Sequence, residues 1–280
     1  GPPRRTQWIA TPQWSRAHLI LPSIHSMVSA NGRLLTIEDQ APAEHPALPG
    51  QFALVCRDAF SGIVLWQNRF PDWNPVNVYI KFTPAQLQRQ LVAIGDTVYA
   101  TPGLDAPITT FDAATGRKLG DYPGTERVQE FAYDRGVLFT VIGDPFDTDG
   151  IGANLGGTIG DSAFPTRAYG PRISKLEKPQ SEIRAVDAES GKTLWSVSGK
   201  RTRGYEGTSL AVRGPVAVYC TSAELVCLDR ETGIERWRVP AAINYNGRNV
   251  KFSGRPGYSV ALVLSDHKMP GMTGVEFLAR

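Results

Sequence analysis

Four copies of one short pattern place the strongest constraint on what this chain can fold into. Each copy is a β-rich run that ends in Asp, then two residues, Ser or Thr, Gly and a second run. The repeated residues are Asp58, Gly62 and Trp66; Asp112 and Gly116; Asp187, Gly191 and Trp195; and Asp229, Gly233 and Trp237. The four Asp residues lie 54, 75 and 42 residues apart. The shortest interval matches the ~40–50 residues of a four-stranded propeller blade.

Each residue type in the pattern has a mechanical role. Asp at the end of a strand accepts hydrogen bonds from turn amides, and Gly supplies the positive φ that closes a hairpin. A large Trp ring at a fixed offset after the Asp is expected to pack between neighbouring sheets. In the second copy Gly120 stands at this offset, so we expect looser packing between blades there. The alternative, in which the Trp rings form an aromatic ligand site, is left open.

Two further apolar runs precede each Asp, and turn residues separate them. Every repeat therefore holds four short strands, and four meander strands per repeat are typical of a β-propeller. We predict an all-β fold: a partial β-propeller of about four four-stranded antiparallel blades, with a short strand-helix tail. An N-terminal lead-in covers residues 1–24, and the repeats cover 25–250, with blades at about 25–70, 90–121, 128–197 and 208–239. An immunoglobulin-type sandwich is disfavoured because no Cys…Trp…Cys pattern occurs.

Composition excludes several classes of protein. The 41% hydrophobic content rules out wholesale disorder, and no apolar run approaches the ~20 residues of a membrane-spanning helix. A net charge of +3 is too small to predict nucleic-acid binding. Cys56, Cys220 and Cys227 are an odd number and lack Cys-x-x-Cys spacing, so neither a disulfide framework nor a four-ligand zinc site is expected. Their apolar neighbours indicate core packing.

The fourfold Asp-x-x-[Ser/Thr]-Gly-x-x-x-Trp pattern resembles the pyrroloquinoline-quinone-type (PQQ-type) repeat of quinoprotein dehydrogenase-like propellers, over about residues 25–240. That family typically closes a ring of seven or eight blades, which implies that the missing blades of the ring lie elsewhere. Its enzymes use PQQ, a calcium ion, a catalytic Asp and commonly an adjacent Cys-Cys pair. No Cys-Cys pair occurs here. The Asp at the turn recurs in every blade, which indicates a turn former and not a single catalytic site.

Other members with this repeat, including the scaffold lipoprotein of outer-membrane assembly, bind no quinone. We therefore expect a non-catalytic scaffold or binding module with a protein or carbohydrate partner, no cofactor and no catalytic residue. The alternative is half of a PQQ- and calcium-dependent dehydrogenase. The resemblance favours export to the periplasm.

A long Gly-rich insertion at residues 144–180 accounts for the 75-residue interval between two repeats. Asp144, Asp147 and Asp149 ahead of Gly150 resemble a calcium loop, because carboxylate oxygens on a tight turn suit that ion. The distal Glu of such a loop is missing. A solvated loop is therefore favoured over a calcium site.

Residues 257–280 do not follow the repeat pattern. Residues 259–266 read as a buried strand ending in an acid, and Met-Pro-Gly-Met-Thr-Gly follows two residues later. This segment resembles the phosphoacceptor segment of response-regulator receiver domains, which implies that Asp266 accepts a phosphoryl group. It provides a third alternative, cytoplasmic phosphorelay signalling through a truncated receiver-like tail. The paired acids of that family have no counterpart upstream, so a non-functional remnant is favoured.

Overall fold

The structure is a computed structural model that describes residues 8–9, 24–41, 51–71, 89–103, 106–143, 181–205, 207, 209–221, 223–240, 242–245 and 248–251. These ranges are almost entirely β-strand and turn, with a short 3-10 turn at Gly199–Arg201. Sixteen strands form four four-stranded antiparallel sheets, so the predicted all-β class with four blades is confirmed. Within the same ranges, no helix is both long and apolar enough to cross a bilayer.

All four sheets are meanders whose strands pair in chain order. Blade 1 contains β1 (Ile24–Ala30), β2 (Arg33–Asp39), β3 (Phe52–Asp58) and β4 (Val64–Arg69). Blade 2 contains β5 (Leu91–Ile94), β6 (Thr97–Ala100), β7 (Ile108–Asp112) and β8 (Lys118–Tyr122). Blade 3 contains β9 (Val128–Asp134), β10 (Val137–Ile142), β11 (Glu182–Asp187) and β12 (Thr193–Val197). Blade 4 contains β13 (Ala211–Arg213), β14 (Val216–Cys220), β15 (Glu224–Asp229) and β16 (Glu235–Pro240).

A two-stranded hairpin, β17 (Ala242–Tyr245) and β18 (Arg248–Lys251), follows blade 4 and was not expected from the repeat pattern. Its signal is nevertheless in the sequence, because Asn246-Gly247 separates the two strands. Asn-Gly is the dipeptide most typical of two-residue hairpin loops. The repeat search missed it because the hairpin has no Asp-x-x-[Ser/Thr]-Gly turn.

The blades are arranged radially about their first strands. β1 contacts β5, β5 contacts β9, and β9 contacts β13, so the first strand of each blade neighbours the first strand of the next. The fourth strand of each blade is then the outer one. This order from inside to outside defines a β-propeller.

Each pair of successive blades shares a hydrophobic core. Apolar side chains, most of them from the second and third strands, meet those of the next blade, as face-to-face packing of sheets requires. The core between blades 1 and 2 includes Leu35, Ile37, Leu54, Val98 and Phe111. The core between blades 2 and 3 includes Tyr99, Ile108, Phe131, Leu138 and Val186. The core between blades 3 and 4 includes Phe139, Ile183, Ala217, Tyr219 and Leu228.

Blade 4 is apolar on both faces. Successive side chains of a strand point to opposite faces, so the residues that alternate with those of the blade 3–4 core lie on the far face. They form a separate cluster of Val216, Val218, Cys220, Leu225 and Cys227, against which Trp237 packs. A sheet that is apolar on both faces is typical of a blade within a propeller.

All three cysteines are buried free thiols. Cys56 belongs to the core between blades 1 and 2, whereas Cys220 and Cys227 belong to the far-face cluster of blade 4. Burial raises the pKa of Cys56, and it raises the pKa of Cys227 to about 11. The thiols of Cys56 and Cys227 therefore remain protonated at neutral pH.

We predict that the native protein reacts very slowly with Ellman's reagent at pH 8, because the reactive species is an accessible thiolate. All three thiols should react at once in guanidinium chloride. A Ser196→Cys variant, with its thiol at an exposed position of β12, should release one rapid equivalent and serves as the positive control. Rapid reaction of any native cysteine in the folded protein would contradict the core assignment.

Candidate functional site

Each repeated Asp ends the third strand of its blade and organises the turn that follows. In blade 1, Asp58 Oδ1 accepts the backbone N–H of Phe60 at 3.0 Å, the N–H of Ser61 at 2.6 Å and the Ser61 hydroxyl at 2.8 Å. The same arrangement of backbone and hydroxyl donors surrounds Asp112, Asp187 and Asp229. The four Asp residues that the sequence singled out thus lie in four separate, equivalent turns.

These hydrogen bonds favour the ionised carboxylates. Donation by Ser61, Thr115 and Ser190 lowers the pKa of Asp58, Asp112 and Asp187, respectively. The guanidinium of Arg236 and then the Thr232 hydroxyl lower the pKa of Asp229 to about 2. A carboxylate held in this way by its own turn is a poor proton acceptor, so these residues are unsuited to general-base catalysis.

An aromatic ring from the preceding blade lies on the Gly of the turn. The ring of Trp66, in β4, covers Gly116 so closely that a Cβ at Gly116 would come within 2.6 Å of ring carbons. The indole Nε1–H donates to the carbonyl of Ala113 at 3.0 Å. Gly116 also has a φ of +72°, so both its conformation and its missing side chain are required.

Trp195 makes the same contact between blades 3 and 4. Its ring covers Gly233, and its Nε1–H donates to the carbonyl of Arg230 at 2.9 Å. Trp195 is 9% exposed, whereas Trp66 and Trp237 are partly buried. The rings of Trp66 and Trp195 contact protein on the next blade, which supports a packing role over an aromatic ligand site.

The expected looser packing beside Gly120 is wrong. Tyr122, two residues further along β8, covers Gly191, and a Cβ there would lie 2.5 Å from its ring. Its hydroxyl donates to the carbonyl of Ala188 at 2.6 Å, and the Tyr99 hydroxyl donates to the same oxygen at 3.0 Å. A tyrosine thus replaces the tryptophan in blade 2.

Trp8 makes the equivalent contact on blade 1, although the sequence placed it in a lead-in outside the propeller. Its ring lies over Gly62, where a Cβ would approach within 2.7 Å, and its Nε1–H donates to Ala59 O at 3.1 Å. Trp8 therefore contributes to blade 1 what a fourth-strand Trp contributes to the following blade. The repeat search missed it because residues 1–7 contain no Asp-x-x-[Ser/Thr]-Gly turn.

A polar cluster, the axial cluster, joins three blades near the starts of their first strands. Arg89, which precedes β5, donates from Nη1 to Glu130 Oε2 at 2.7 Å and from Nη2 to the Leu210 carbonyl at 2.9 Å. The Tyr205 hydroxyl donates to Glu130 Oε1 and accepts the Leu210 N–H at 3.1 Å. The Glu130 side chain is 1% exposed and that of Arg89 is 31% exposed.

The axial cluster balances its own charges. Burial and then the negative charge of Glu130 raise the pKa of Tyr205 well above its ordinary value, so its hydroxyl stays protonated and donates. Calcium takes about six to eight oxygen ligands. A carboxylate shared between a guanidinium and a phenol does not offer such a set. Across the described ranges, no group of three His, Cys, Asp or Glu side chains is placed to hold a metal.

The sequence did not identify the axial cluster, although it contains a weak signal. Gln90 immediately precedes β5, Gln129 and Glu130 lie near the start of β9, and each of these polar residues is at most 3% exposed. Gln90 Nε2 donates to the carbonyl of Val128 at 2.8 Å, which links blades 2 and 3. The signal becomes visible only when the strands, and not the Asp turns, are compared between repeats.

Two predicted sites lie outside the described residues. The weak calcium candidate, Asp144, Asp147 and Asp149, falls within the insertion at 144–180, and the phosphoacceptor candidate Asp266 falls within the receiver-like segment 257–280. Calcium binding and phosphoryl transfer at these positions stay predictions.

The fold and its turns define the class: four blades of a β-propeller. The sequence of residues 179–251 matches the family of the outer membrane protein assembly factor BamB. This match covers blade 4 and the third and fourth strands of blade 3. Comparison with curated proteins gives no match.

Solved structures with similar chain traces include enzymes and a BamB. A quinohemoprotein alcohol dehydrogenase from Comamonas testosteroni is 14% identical, with a TM-score of 0.45, over 85% of this chain and 40% of that one. BamB from Moraxella catarrhalis is 13% identical, with a TM-score of 0.36, over 78% of this chain and 58% of that one. An acylaminoacyl peptidase from Pyrococcus horikoshii is 9% identical, with a TM-score of 0.49, over 79% and 33%. This chain thus spans about a third to three fifths of these structures, and such distant likenesses carry no argument about function.

We predict that Trp195→Ala lowers the free energy of unfolding by about 3–5 kcal/mol, because it removes a buried ring and leaves a cavity between blades. The neighbouring Leu194→Ala, at a side chain that is 53% exposed, should change it by less than about 0.5 kcal/mol. Urea unfolding followed by far-UV circular dichroism measures both. Equal effects of the two substitutions would count against the docking role of Trp195.

His25 in β1 provides a prediction of pH dependence. It is 2% exposed and lies edge-on to Phe52, with ring centroids 5.0 Å apart. Burial lowers its pKa from 6.5 to about 4, and the negative charge of Asp39 opposes this shift only in part. The unfolded chain therefore binds a proton in the range between these values that the folded chain does not, and stability falls as the pH decreases through it.

Between pH 7.5 and 5, this effect should lower the free energy of unfolding by about 2 kcal/mol. In His25→Gln the loss over this interval should be smaller by about the same amount, since Gln does not titrate. Urea unfolding of both proteins at the two pH values gives the comparison. If both proteins lost stability equally, the depressed pKa of His25 would be refuted.

Proposed function

We propose that this chain is a non-catalytic β-propeller scaffold that binds a protein partner. The observation that carries the proposal is the use of its polar residues for structure. The repeated Asp residues are hydrogen bonded within their own turns, and Glu130 is neutralised by Arg89 and Tyr205. Groups that are satisfied by the fold itself are suited to holding blades together and not to turnover of a substrate.

The match of residues 179–251 to the BamB family supports the same function, since the family is described as an outer membrane protein assembly factor. We extend this description to the chain as a proposal: its partner is a protein, and its compartment is the periplasm. The proposal concerns the propeller alone, because the match and the described blades both lie within it.

The enzymatic alternative has less support. A PQQ- and calcium-dependent dehydrogenase needs acidic and amide side chains that supply oxygen ligands to the metal. In the axial cluster, by contrast, the buried carboxylate of Glu130 accepts a hydrogen bond from the Arg89 guanidinium. No adjacent Cys-Cys pair occurs in the sequence.

The test of this proposal has a catalytic arm and a binding arm. The purified chain, incubated with PQQ and calcium, should show no dye-linked oxidation of primary alcohols, whereas a quinoprotein alcohol dehydrogenase assayed in parallel should be active. For the binding arm, the tagged chain is cross-linked in cells and purified under denaturing conditions. One protein should be recovered with it, in the same ratio to the chain in every preparation. Trp195→Ala, if it unfolds the interface between blades 3 and 4, should lose this protein. Quinone-dependent turnover, or absence of any retained protein from a folded chain, would contradict the scaffold function.

A further inference from the structure

We propose that the outer edge of blade 3, strand β12, docks an extended segment of a partner protein, and that this segment has an uncharged core flanked by acidic residues. The segment would add to the blade as a fifth strand. This inference rests on the proposed scaffold function, since it names the surface and the chemistry of the partner.

Strand β12 lies at the outer edge of the sheet of blade 3. The strand order of blade 3 is β12, β11, β10, β9, and β12 pairs with β11 on one side. Its other side is an edge among the described strands. An edge strand presents a row of backbone N–H and C=O groups that can pair with another chain. Strand addition of this kind is a recurrent mode of peptide recognition.

The composition of β12 distinguishes it from the other three outer strands. β4 ends in Arg69, and β8 carries Lys118 and Asp121, which form an ion pair at 2.6 Å. β16 contains several charged residues and ends in a proline. β12 reads Thr-Leu-Trp-Ser-Val and contains neither charge nor proline. Charges and prolines are the usual protection of an edge against strand addition, and β12 lacks both.

The side chains of β12 supply an apolar anchor. Trp195 and Val197 point into the interface between blades 3 and 4 and are buried. Leu194 points the other way and is 53% exposed. Leu65 and Leu119 occupy the same repeat position in β4 and β8, at 49% and 48% exposure. Exposure is therefore the same in three blades, and the lack of charge on the strand is what separates blade 3.

Exposed cations stand at both ends of β12, which determines the charge of the segment that fits it. Lys192 immediately precedes the strand, and Lys200 and Arg201 lie in the 3-10 turn that follows it, with Arg203 two residues beyond. All four are exposed, whereas Glu189 is the exposed acid of the preceding turn. Acidic residues at both ends of an incoming strand complement this distribution and speed its association, while the backbone hydrogen bonds of the edge hold it.

The probe for the test is a capped, fluorescein-labelled peptide with alternating Thr and Val between two pairs of Glu. Its fluorescence anisotropy is measured while increasing amounts of the full chain are added. We expect saturable binding that Leu194→Lys weakens by at least about tenfold and that Leu119→Lys, the matched change on blade 2, leaves within about twofold. A peptide with Lys in place of Glu should bind at least about tenfold more weakly. Circular dichroism verifies that both variants are folded.

A second probe keeps the test independent of the variants. In it, the amides of all Thr and Val residues of the acidic peptide are N-methylated, so neither edge of the peptide can donate hydrogen bonds to β12. This probe should fail to bind the wild-type chain if recognition is by strand addition, whereas simple charge attraction would leave its binding intact.

Several results would overturn the proposal. These are no binding of the acidic peptide, equal binding to the Leu194→Lys and Leu119→Lys variants, and equal binding of the N-methylated probe. A wild-type dimer that Leu194→Lys converts to a monomer in analytical ultracentrifugation would mean that the occupant is a second copy of the chain. If Leu194→Lys still retains the cross-linked protein of the scaffold assay, the edge proposal fails and the scaffold function stands.

Discussion

The contact between an aromatic ring on one blade and a glycine turn on the next is the interaction on which the propeller depends. Neighbouring blades touch through their first strands at the axis and through hydrophobic cores between their middle strands. Neither contact fixes the outer strands, which diverge with distance from the axis. Trp8, Trp66, Tyr122 and Trp195 bridge this widening gap by reaching the next turn with a ring and a hydrogen bond.

The turn that receives the ring is held from two sides. Asp58 fixes it from within through its carboxylate, while the N–H of Ala59 donates to the carbonyl of Gly32, in the hairpin between β1 and β2, at 2.8 Å. Because the N–H of Ala59 is engaged there, its own carbonyl is positioned to accept the indole of Trp8. In every blade a β-bulge interrupts the pairing just before the Asp, so the turn begins from the same local irregularity. The fourfold sequence pattern thus reflects one hydrogen-bonded structural unit, the Asp turn with its bulge, which each blade repeats.

This unit explains which parts of the structure the sequence could predict. Asp, Ser or Thr, and Gly are each required by local geometry, so they recur at fixed spacing and reveal the blades. The docking ring is required only to reach the next turn, and Tyr122 does so from two residues further along because its hydroxyl takes the place of the indole N–H. The axial cluster has no fixed spacing at all, since Arg89, Glu130 and Tyr205 meet through tertiary contacts between blades. Sequence periodicity cannot locate contacts of that kind.

The same distinction bears on where specificity resides in such a chain. In all four blades the repeated Asp accepts the same backbone and hydroxyl hydrogen bonds, so these bonds do not distinguish one blade from another. Differences begin on the outer strands, at the position seven residues after the repeated Asp. This residue is Leu in blades 1, 2 and 3 but Arg236 in blade 4, where it pairs with Asp229 at 2.6 Å. An arginine used in this way both closes the turn and places a charge on the edge. A leucine leaves the edge apolar, and the remaining residues of the strand then decide whether it is protected. A propeller of nearly identical units can therefore present a distinct edge on each blade without altering the contacts that hold the blades together.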